Sequence, residues 1–589
     1  MTTPTPTPAP TSATAPVIGV VGLGSIGEAL LRALHGTGHQ VIGVDTDLDV
    51  LTRLTRRLKA AAPTAAGPEP VLTDDYILLR GSDLVVEAVP EDWDVKTNVL
   101  GRVHDVCPPG TPLITTTATL PLARLAIASG RPADLAALRL FTPPTAGSPA
   151  EPAHTSLTSP EAAHAAHQVL EAARLTAVRV GTWPAADATA LVLNLLNRAA
   201  ALHDTGYVSH HAIDTAMRLG CALPAGPLQT LDAMGLDTVH AALTDLHRRT
   251  GDPSFNPAPV LSRLIDDGRL GRKTGRGFYT YDDTGTPLPE HTPTPDPSAA
   301  RSIHQVGVVG SGAMARGIAE VTATAGHPTL LIARSEDKAR AALDGIADSL
   351  VRAVRRGRIT PAIRDQALAA LRTGTDVTAL APCDLVIEAA AEDPHVKRDI
   401  FTALGRTSAP GTLLATTTSS LSVTACADAS GRPADVIGLH FFNPAPVMRL
   451  VEIAHTPHTS PTTLATAHTW CHALGKTPVH CPDRTGFIVN SLLFGYLSAA
   501  LDLLDRRGAD DHVIENTDTA VQRAYGFPMG PFALLDTIGL DVSLAIQHRL
   551  HVHFPTAHQP SKALAELVTA GLLGRKNRDG LRTTTHRVP

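Results

Sequence analysis

The sequence lacks several features that would mark a secreted, membrane-spanning or nucleic-acid-binding protein. Its six cysteines are dispersed and form no Cys-x-x-Cys pair, so neither a disulfide framework nor a cysteine metal centre is predicted. It holds no run of about 18 apolar residues that could span a bilayer. Charged residues make up 18% of the chain and the formal charge is −6, which offers no basic surface to a nucleic acid. We therefore expect a cytoplasmic globular protein with no membrane or nucleic-acid partner.

The length of the chain indicates several domains. Its 589 residues exceed what one hydrophobic core supports, and about three to five domains are expected. Residues 1–16 are rich in Thr, Pro and Ala, and they lack both the basic n-region and the apolar h-region of a signal peptide. This first segment is predicted to be a disordered tail.

A glycine-rich motif follows directly on the first strand-like run. The apolar residues 17–21 precede Gly22-Leu-Gly-Ser-Ile-Gly27 and a helical pattern. Such a motif between a strand and a helix lets the backbone approach a pyrophosphate, and Gly22, Gly24 and Gly27 are its three glycines. The next strand-like run ends in Asp45, placed where an acid would bind the ribose hydroxyls of NAD. The pattern predicts a Rossmann-type domain, with NAD as the cofactor if this site binds one.

The same design returns 288 positions later (310 − 22 = 288), which indicates a tandem duplication. Gly310, Gly312 and Ala315 take the three glycine positions of this second motif. Residues 128–134 recur unchanged at 429–435, where the offset is 301 (429 − 128 = 301). The second copy therefore carries 13 additional residues (301 − 288 = 13), which we expect in the basic helical region around residues 352–358.

Each copy changes character after its dinucleotide-binding half. The strand signals fade there and a helical periodicity takes over. The predicted fold is therefore an α/β Rossmann-type doubly wound domain followed by an all-α C-terminal domain, with the pair duplicated in tandem. The predicted domains are residues 17–184 and 185–280 in the first copy and residues 305–484 and 485–589 in the second, with a Pro-rich linker at residues 281–304.

The stretch with the clearest chemical meaning, residues 438–453, contains His440 and Glu452. Its pattern predicts a buried strand, a proline-containing turn at residues 443–446 and a returning strand. That arrangement can bring the imidazole and the carboxylate together. A neutral imidazole held by a carboxylate has a fixed tautomer and can take a proton from a substrate hydroxyl. We interpret the pair as a general base and its orienting group; the alternative is a histidine that only fills an apolar core.

The sequence His440-Phe-Phe-Asn-Pro-Ala-Pro-Val-Met-Arg-Leu-Val-Glu452 closely resembles the signature of the L-3-hydroxyacyl-CoA dehydrogenases. The resemblance covers nearly everything from residue 17 to residue 580, including both helical domains. It implies that His440 and Glu452 are the catalytic pair and that Ser419 and Asn490 bind the developing carbonyl and the thioester end. It further implies that Glu392 lies near the nicotinamide ribose, and the predicted cofactor residues of the second copy are Gly310, Gly312, Ala315, Arg334, Glu392 and Lys397.

The first copy has lost the residues that this chemistry needs. The offset of 301 places Arg139 at the position of His440 and Ala118 at the position of Ser419. A permanently protonated guanidinium cannot serve as a general base. The first copy is therefore predicted to be inactive and the second active, although the other two catalytic positions keep their residue types, at Glu151 and Asn194.

The two copies are also predicted to prefer different cofactors. A carboxylate such as Asp45 accepts the ribose hydroxyls of NAD and repels a 2′-phosphate. The equivalent position of the second copy is Ala333, followed by Arg334 and Ser335, so a cation and a hydroxyl stand where a 2′-phosphate would lie. The second copy is expected to use NAD or NADP, with NADP favoured.

The leading functional hypothesis is interconversion of 3-hydroxyacyl-CoA and 3-ketoacyl-CoA, with short chains because no extra acyl-binding domain is visible. A dehydrogenase of another 3-hydroxy acid, or of a carrier-protein thioester, remains an alternative within this fold. A non-catalytic nucleotide-binding scaffold is a third alternative. The remaining histidines show no ligand spacing, so no metal site is expected. The resemblance implies pairing of helical domains, so an intrachain pseudo-dimer is predicted, with further homo-oligomerisation left open.

Overall fold

The computed structural model of the protein describes residues 16–60, 68–290, 294–507, 511–555 and 558–582. Apart from Pro16, the predicted N-terminal tail lies outside these described residues. The chain divides into two units. Unit 1 comprises Met1–Asn194, Gln229–Pro289 and Ala509–Pro531, and unit 2 comprises Leu195–Leu228, Glu290–Gly508 and Phe532–Pro589. Each unit therefore combines one Rossmann-like domain with helical segments from both copies.

Unit 1 is built on a sheet of eight strands within the described residues. These are β1 (Ile18–Val21), β2 (Val41–Val44), β3 (Val71–Thr73), β4 (Leu84–Glu87), β5 (Leu113–Thr115), β6 (Leu135–Leu140), β7 (Pro149–Ala153) and β8 (Thr176–Ala177). Their order in the sheet is β3-β2-β1-β4-β5-β6-β7-β8, and the pairing is parallel except between β6 and β7. The strands β1, β2, β4, β5 and β6 are buried along their whole length, as expected for the middle of a parallel sheet.

Helices cover both faces of this sheet. The first copy as a whole has the helices α1 (Ser25–Gly36), α2 (Leu48–Ala60), α3 (Trp93–Val106), α4 (Leu122–Ala128), α5 (Pro160–Ala172), α6 (Thr182–Asp204), α7 (His210–Gly220), α8 (Pro227–Met234), α9 (Leu236–Thr250) and α10 (Pro259–Asp266) among its described residues, and α7 belongs to unit 2. Alternate residues of one strand enter different cores: Val20 of β1 lies in one buried cluster and Val21 in the other. The predicted doubly wound arrangement is thus confirmed.

Unit 2 repeats the design. Its strands are β9 (Val306–Val309), β10 (Thr329–Ile332), β11 (Leu371–Gly374), β12 (Leu385–Glu388), β13 (Leu413–Thr416), β14 (Val436–Phe441), β15 (Leu450–His455) and β16 (Thr477–Pro482). The order is β11-β10-β9-β12-β13-β14-β15-β16, and only β14 and β15 run antiparallel among these described strands. The turns after β9 and β12 therefore lie at the point where the strand order reverses, the usual place for a ligand in such sheets.

The helices of the second copy show where its additional residues lie. They are α11 (Ala313–Thr324), α12 (Glu336–Arg355), α13 (Pro361–Ala370), α14 (Pro394–Thr407), α15 (Val423–Ser430), α16 (Pro461–Ala473), α17 (Val489–Arg507), α18 (Asp511–Tyr525), α19 (Pro531–Ile538), α20 (Leu540–His553) and α21 (Lys562–Thr569). Two helices, α12 and α13, occupy the connection from β10 to β11, whereas the described part of the first copy has α2 there. The expected helical insertion is confirmed, and Thr360 and Pro361 begin its second helix with a side-chain cap.

Each unit includes a helix from the helical domain of the other copy. In unit 2, α7 of the first copy packs on β15, β16 and α17. The hydroxyl of Tyr207, just ahead of α7, donates to the carbonyl of Pro482 at 2.8 Å. In unit 1, the hydroxyl of Tyr525 on α18 donates to Thr189 at 2.8 Å. In the described part of the chain, no helix is both long and apolar enough to cross a membrane.

Candidate active site

His440 and Glu452 meet across the antiparallel pair β14 and β15. They are direct partners in the register of the two strands, which places both side chains on the same face. The imidazole Nδ1 lies 2.7 Å from a carboxylate oxygen of Glu452. Both side chains are buried, with His440 exposed by 8% and Glu452 by 0%. Because the carboxylate occupies Nδ1, the ring nitrogen that can meet a substrate is Nε2.

The second oxygen of Glu452 is held by the backbone at the start of α17. Its Oε1 accepts hydrogen bonds from the amides of Ile488 at 3.1 Å and Val489 at 2.9 Å. Phe487, directly before them, has a φ of 44°, a left-handed conformation that turns the chain here. These two amide donors hold the carboxylate oxygen in place at the N-terminus of α17. Sequence reasoning missed these donors, because backbone amides carry no residue signature.

Aromatic rings enclose the imidazole of His440. The ring centre of Phe442 lies 4.6 Å from that of His440, and the ring centre of Phe487 lies 5.6 Å away. Such contacts fix the ring plane and keep water from one side of it. The imidazole is therefore oriented by a carboxylate at one nitrogen and by two tilted aromatic rings.

A second polar group is assembled around Glu392. Its Oε1 accepts hydrogen bonds from the amide of Ser419 at 2.9 Å and from the hydroxyl of Thr418 at 2.7 Å. The ammonium of Lys397 lies 3.4 Å from its other oxygen. Burial acts to raise the pKa of Glu392, but Lys397 and these hydrogen bonds outweigh it, so the pKa of this carboxyl lies below its usual range. Glu392 is thus an anion that shapes the loop carrying Ser419.

The structure brings Ser419 and Asn490 together. The side-chain amide of Asn490 donates to the carbonyl oxygen of Ser419 at 3.3 Å. The hydroxyl of Ser419 lies 3.3 Å from the carboxylate of Glu392. Asn490 also follows Val489, whose amide binds Glu452. One turn at the start of α17 therefore connects the loop of Ser419 with the carboxylate of Glu452.

Lys397 and Arg549 contact the residues that hold the loop of Ser419. The Lys397 ammonium is buried and lies 2.7 Å from the carboxylate of Glu388 on β12. Lys397 can therefore affect a bound nucleotide only indirectly, through the residues that it contacts. Arg549 on α20 donates to the hydroxyl of Ser420 at 2.8 Å and to the carbonyl of Glu392 at 2.9 Å. Sequence reasoning missed Arg549, since it is 157 positions from Glu392 and no local pattern connects them.

The glycine-rich turn of the second copy leaves room for a dinucleotide. Gly310 has a φ of 135°, and a Cβ there would overlap the carbonyl oxygen of Ala389, so only glycine fits. At Gly312, no described atom lies within 4 Å of where a Cβ would stand. The first amides of α11 begin at Ala313 and face this open turn, while Ala315 is buried beneath it. These features fit a pyrophosphate.

The first copy keeps an equivalent turn. Gly22 has a φ of 86°, and a Cβ at Gly27 would overlap the carbonyl oxygen of Gly22. A Cβ at Gly24 would have no described neighbour within 4 Å. The carboxylate of Asp45 accepts a hydrogen bond from the amide of Leu23 at 2.7 Å, which holds it beside the turn. The second copy differs at the corresponding place, where Ala333 is buried and Arg334 is exposed.

In the first copy, an ion pair occupies the place of His440 and Glu452. Arg139 and Glu151 are register partners on β6 and β7, and the guanidinium lies 2.8 Å from the carboxylate. The other oxygen of Glu151 accepts hydrogen bonds from the amides of Val180 and Gly181, each at 2.8 Å. Asn194 donates to the hydroxyl of Ser254 at 2.8 Å. The backbone arrangement around the pair is preserved, but Arg139, a cation that cannot accept a proton, stands where the second copy has His440.

A parallel sheet with glycine-rich turns at its point of reversal defines a dinucleotide-binding protein, and a histidine held by a carboxylate beside it is typical of a dehydrogenase. Two family models bear this out. The one described as 3-hydroxyacyl-CoA dehydrogenase, NAD binding domain, matches residues 17–183 and 305–484. The one described as 3-hydroxyacyl-CoA dehydrogenase, C-terminal domain, matches residues 188–281 and 486–584. The chain belongs to the 3-hydroxyacyl-CoA dehydrogenase family and contains both family domains twice.

Individual relatives align with about half of the chain. Hydroxyacyl-coenzyme A dehydrogenase, mitochondrial, of Homo sapiens is 40% identical over 288 residues, which are 47% of this chain and 90% of that protein. The 3-hydroxybutyryl-CoA dehydrogenase of Mycobacterium tuberculosis is 40% identical over 285 residues, which are 48% of this chain and 99% of that protein. The crystal structure of M. tuberculosis FadB2 is similar at 40% identity with a TM-score of 0.46, covering 48% of this chain and 99% of that one.

Proposed function

We propose that the second copy interconverts a short-chain 3-hydroxyacyl-CoA and the corresponding 3-ketoacyl-CoA with NAD(P). The 2.7 Å contact between Nδ1 of His440 and Glu452 carries this proposal, because it makes the imidazole a fixed proton acceptor. The names of the human and mycobacterial relatives, a hydroxyacyl-coenzyme A dehydrogenase and a 3-hydroxybutyryl-CoA dehydrogenase, support the substrate class. The proposal places the protein among enzymes of fatty acid metabolism.

The proton and the hydride leave the substrate by different routes. When bound, NAD(P)⁺ supplies the acceptor for the hydride from C3. Nε2 of His440 takes the proton of the 3-hydroxyl, and the imidazolium that forms is stabilised by the carboxylate of Glu452. The carboxylate stays in place because the amides of Ile488 and Val489 hold its other oxygen. In the reductive direction His440 returns the same proton to the carbonyl oxygen.

The loop that carries Ser419 is proposed to position the carbonyl groups of the substrate. We assign the hydroxyl of Ser419 and the amide of Asn490 to the developing carbonyl oxygen and the thioester end. Glu392 fixes the Ser419 loop through its amide and hydroxyl hydrogen bonds. Arg549 then acts as a positioning residue, since it binds the loop at Ser420 and not a reacting atom. Lys397 supports the charge of Glu392 from the buried side.

The first copy is proposed to support the second without turning over substrate. Its Arg139–Glu151 pair cannot accept a proton, while its glycine-rich turn and Asp45 suit NAD if this copy binds a cofactor. Unit 2 includes residues Leu195–Leu228 of the first copy, and unit 1 includes Ala509–Pro531 of the second. This exchange supports an intrachain pseudo-dimer of the two helical domains. Further homo-oligomerisation and a cytoplasmic location remain predictions.

Turnover of acetoacetyl-CoA tests the proposed function. We expect the full-length protein to oxidise NADH or NADPH, followed by the loss of absorbance of the reduced nicotinamide, when acetoacetyl-CoA is added. Free acetoacetate should react far more slowly, because the CoA handle is not there to be bound. Faster reaction with a carrier-protein thioester than with the CoA ester would favour the alternative substrate. Binding of the dinucleotide without turnover of any of these substrates would favour a non-catalytic scaffold.

The second copy is predicted to prefer NADPH over NADH. Asp45 places a carboxylate beside the turn of the first copy, whereas Ala333 leaves no carboxylate in the second and Arg334 is exposed there. A guanidinium attracts a 2′-phosphate that a carboxylate would repel. The ratio of kcat/KM for NADPH to that for NADH should exceed one in the wild type. It should fall about 10-fold or more in the variant Ala333→Asp with Arg334→Gln, the scale of one lost charge-assisted contact.

Arg340→Gln is the matched control for the cofactor test. Arg340 is an exposed arginine of α12, 73% accessible, and its replacement removes the same charge six positions away (340 − 334 = 6). It should leave the cofactor ratio unchanged. A wild-type ratio well below one, with no change in the double variant, would return the second copy to NAD.

A further inference from the structure

Two histidines and a carboxylate converge in unit 2 outside the catalytic site. His210 and His211 are the first two residues of α7, and Glu290 belongs to the segment that leads into the second copy. Nε2 of His210 lies 3.0 Å from Oε2 of Glu290, and Nε2 of His211 lies 3.4 Å from the same oxygen. The three ligand atoms all lie within 4.8 Å of one another. Both imidazoles thus place Nε2 within 3.4 Å of one carboxylate oxygen.

The two nitrogen-to-oxygen distances suit ligands around one small cation. Zinc binds histidine nitrogen and carboxylate oxygen at about 2.0–2.1 Å, which in a tetrahedron separates two ligand atoms by about 3.3 Å. The observed nitrogen to oxygen distances of 3.0 and 3.4 Å lie on either side of that value. The two imidazole rings lie 4.6 Å apart at an interplanar angle of 32°. Three ligand atoms that all lie within 4.8 Å of one another can be bound by one ion.

We propose that His210, His211 and Glu290 bind a divalent transition-metal ion, and that this ion is Zn²⁺. Imidazole nitrogens with one carboxylate favour zinc over Mg²⁺ and Ca²⁺, which take all-oxygen sites. The three side chains are 18%, 31% and 34% exposed, so solvent reaches the group and water completes the fourth position. This departs from the expectation of no metal site, because Glu290 is 80 positions from His210 and leaves no ligand spacing in the sequence.

The position of the group points to a stabilising role. The site would tie the N-terminal end of α7 to the segment between the copies. The last residue of α7, Gly220, lies at the opposite end of the helix beside Leu450 and Phe442. A metal that binds the folded but not the unfolded chain stabilises the fold. The ion would therefore hold α7, and with it the support of β15, without touching the reacting atoms.

Zinc binding by the full-length protein tests this proposal independently of activity. The protein is prepared without a histidine tag, stripped with EDTA and desalted, and Zn²⁺ is titrated against a chromogenic competitor. We expect one ion per chain, an unfolding midpoint of unit 2 raised by about 3 °C at saturation, and no effect of Mg²⁺. Glu290→Gln and His210→Ala with His211→Ala should each weaken the binding of Zn²⁺ by about 10-fold or more. Co²⁺ bound at this site should show the intense visible absorption of four-coordinate cobalt.

The exposed pair His164 and His167 on α5 provides the control. Its double alanine variant removes two histidines and should retain wild-type affinity and the wild-type rise in the unfolding midpoint. Glu290→Gln changes one exposed side chain, so circular dichroism should show a folded protein in which binding can be measured. If the folded wild type binds no Zn²⁺, or if both site variants bind it as tightly as the wild type, the proposal is wrong.

Discussion

His440→Gln is expected to reduce kcat with acetoacetyl-CoA by about 100-fold or more, the usual scale for the loss of a general acid or base. Glutamine preserves much of the volume of the ring and can still reach Glu452, but its amide cannot carry a proton to or from the substrate near neutral pH. The measurement is the steady-state rate of nicotinamide oxidation at saturating substrate. Circular dichroism and the affinity for NAD(P)H should remain close to wild type, because the glycine-rich turn is not altered.

Arg139→Gln is the matched variant in the first copy. Arg139 is the register partner of Glu151 just as His440 is the register partner of Glu452. Glutamine is therefore introduced at the equivalent position of each copy. We expect kcat to remain near wild type. The stability of unit 1 should fall, because the substitution leaves the buried carboxylate of Glu151 without its 2.8 Å cation. If Arg139→Gln reduced kcat as much as His440→Gln, the first copy would not be silent.

The sequence predicts the parts of the site that are local along the chain. His440 and Glu452 are 12 positions apart on two strands joined by one turn, so their pairing follows from the alternation of the two strands. The glycine-rich turns are predicted for the same reason, because strand, turn and helix are consecutive. Ser419 and Asn490 are 71 positions apart, and only the family resemblance connected them.

Other features depend on packing that no local pattern encodes. Arg549 reaches the Glu392 loop from a helix, and Glu290 reaches His210 from an interdomain segment. Both pairs join distant parts of the chain. The assignment of α7 to unit 2 was also beyond the sequence, because two similar helical domains show the same periodicity. Apolar periodicity predicts that a helix buries one face, but it does not say which of two similar sheets receives that face.

A chain restricted to residues 301–589 is expected to be unstable or self-associating and to lose most of its activity. This truncation removes Leu195–Leu228 from unit 2. Helix α7 buries Ile213 and Met217 completely, and full burial of such a side chain stabilises a protein by about 1.5–3 kcal/mol. The hydrogen bond of Tyr207 to Pro482 is also lost. An apolar surface over β15 would then be exposed, and exposed patches of this kind favour association.

Light scattering, circular dichroism and kcat of the purified fragment measure these effects. Co-expression of residues 1–300 with residues 301–589 should restore a soluble complex and recover turnover, because the first fragment supplies α7 in trans. The fragment of residues 301–589 alone should show a lower unfolding midpoint than the complex. A stable monomer with full activity would contradict both the pseudo-dimer and the supporting role of the first copy.

Gly220→Val tests with a single substitution whether α7 supports the active site of the second copy. A Cβ at Gly220 would lie 2.9 Å from Leu450 and 3.0 Å from Val489, closer than side chains normally approach, and 3.4 Å from Phe442. The amide of Val489 donates a hydrogen bond to Glu452, and the ring of Phe442 packs on His440. A displacement of Val489 and Phe442 would therefore disturb both Glu452 and His440. We expect kcat to fall several-fold with little change in KM for NAD(P)H.

Gly36→Val is the control for this substitution. At Gly36, the last residue of α1, a Cβ has no described neighbour within 4 Å, so Gly36→Val should leave kcat unchanged. Equal kcat values for Gly220→Val and the wild type would show that α7 does not position the catalytic pair.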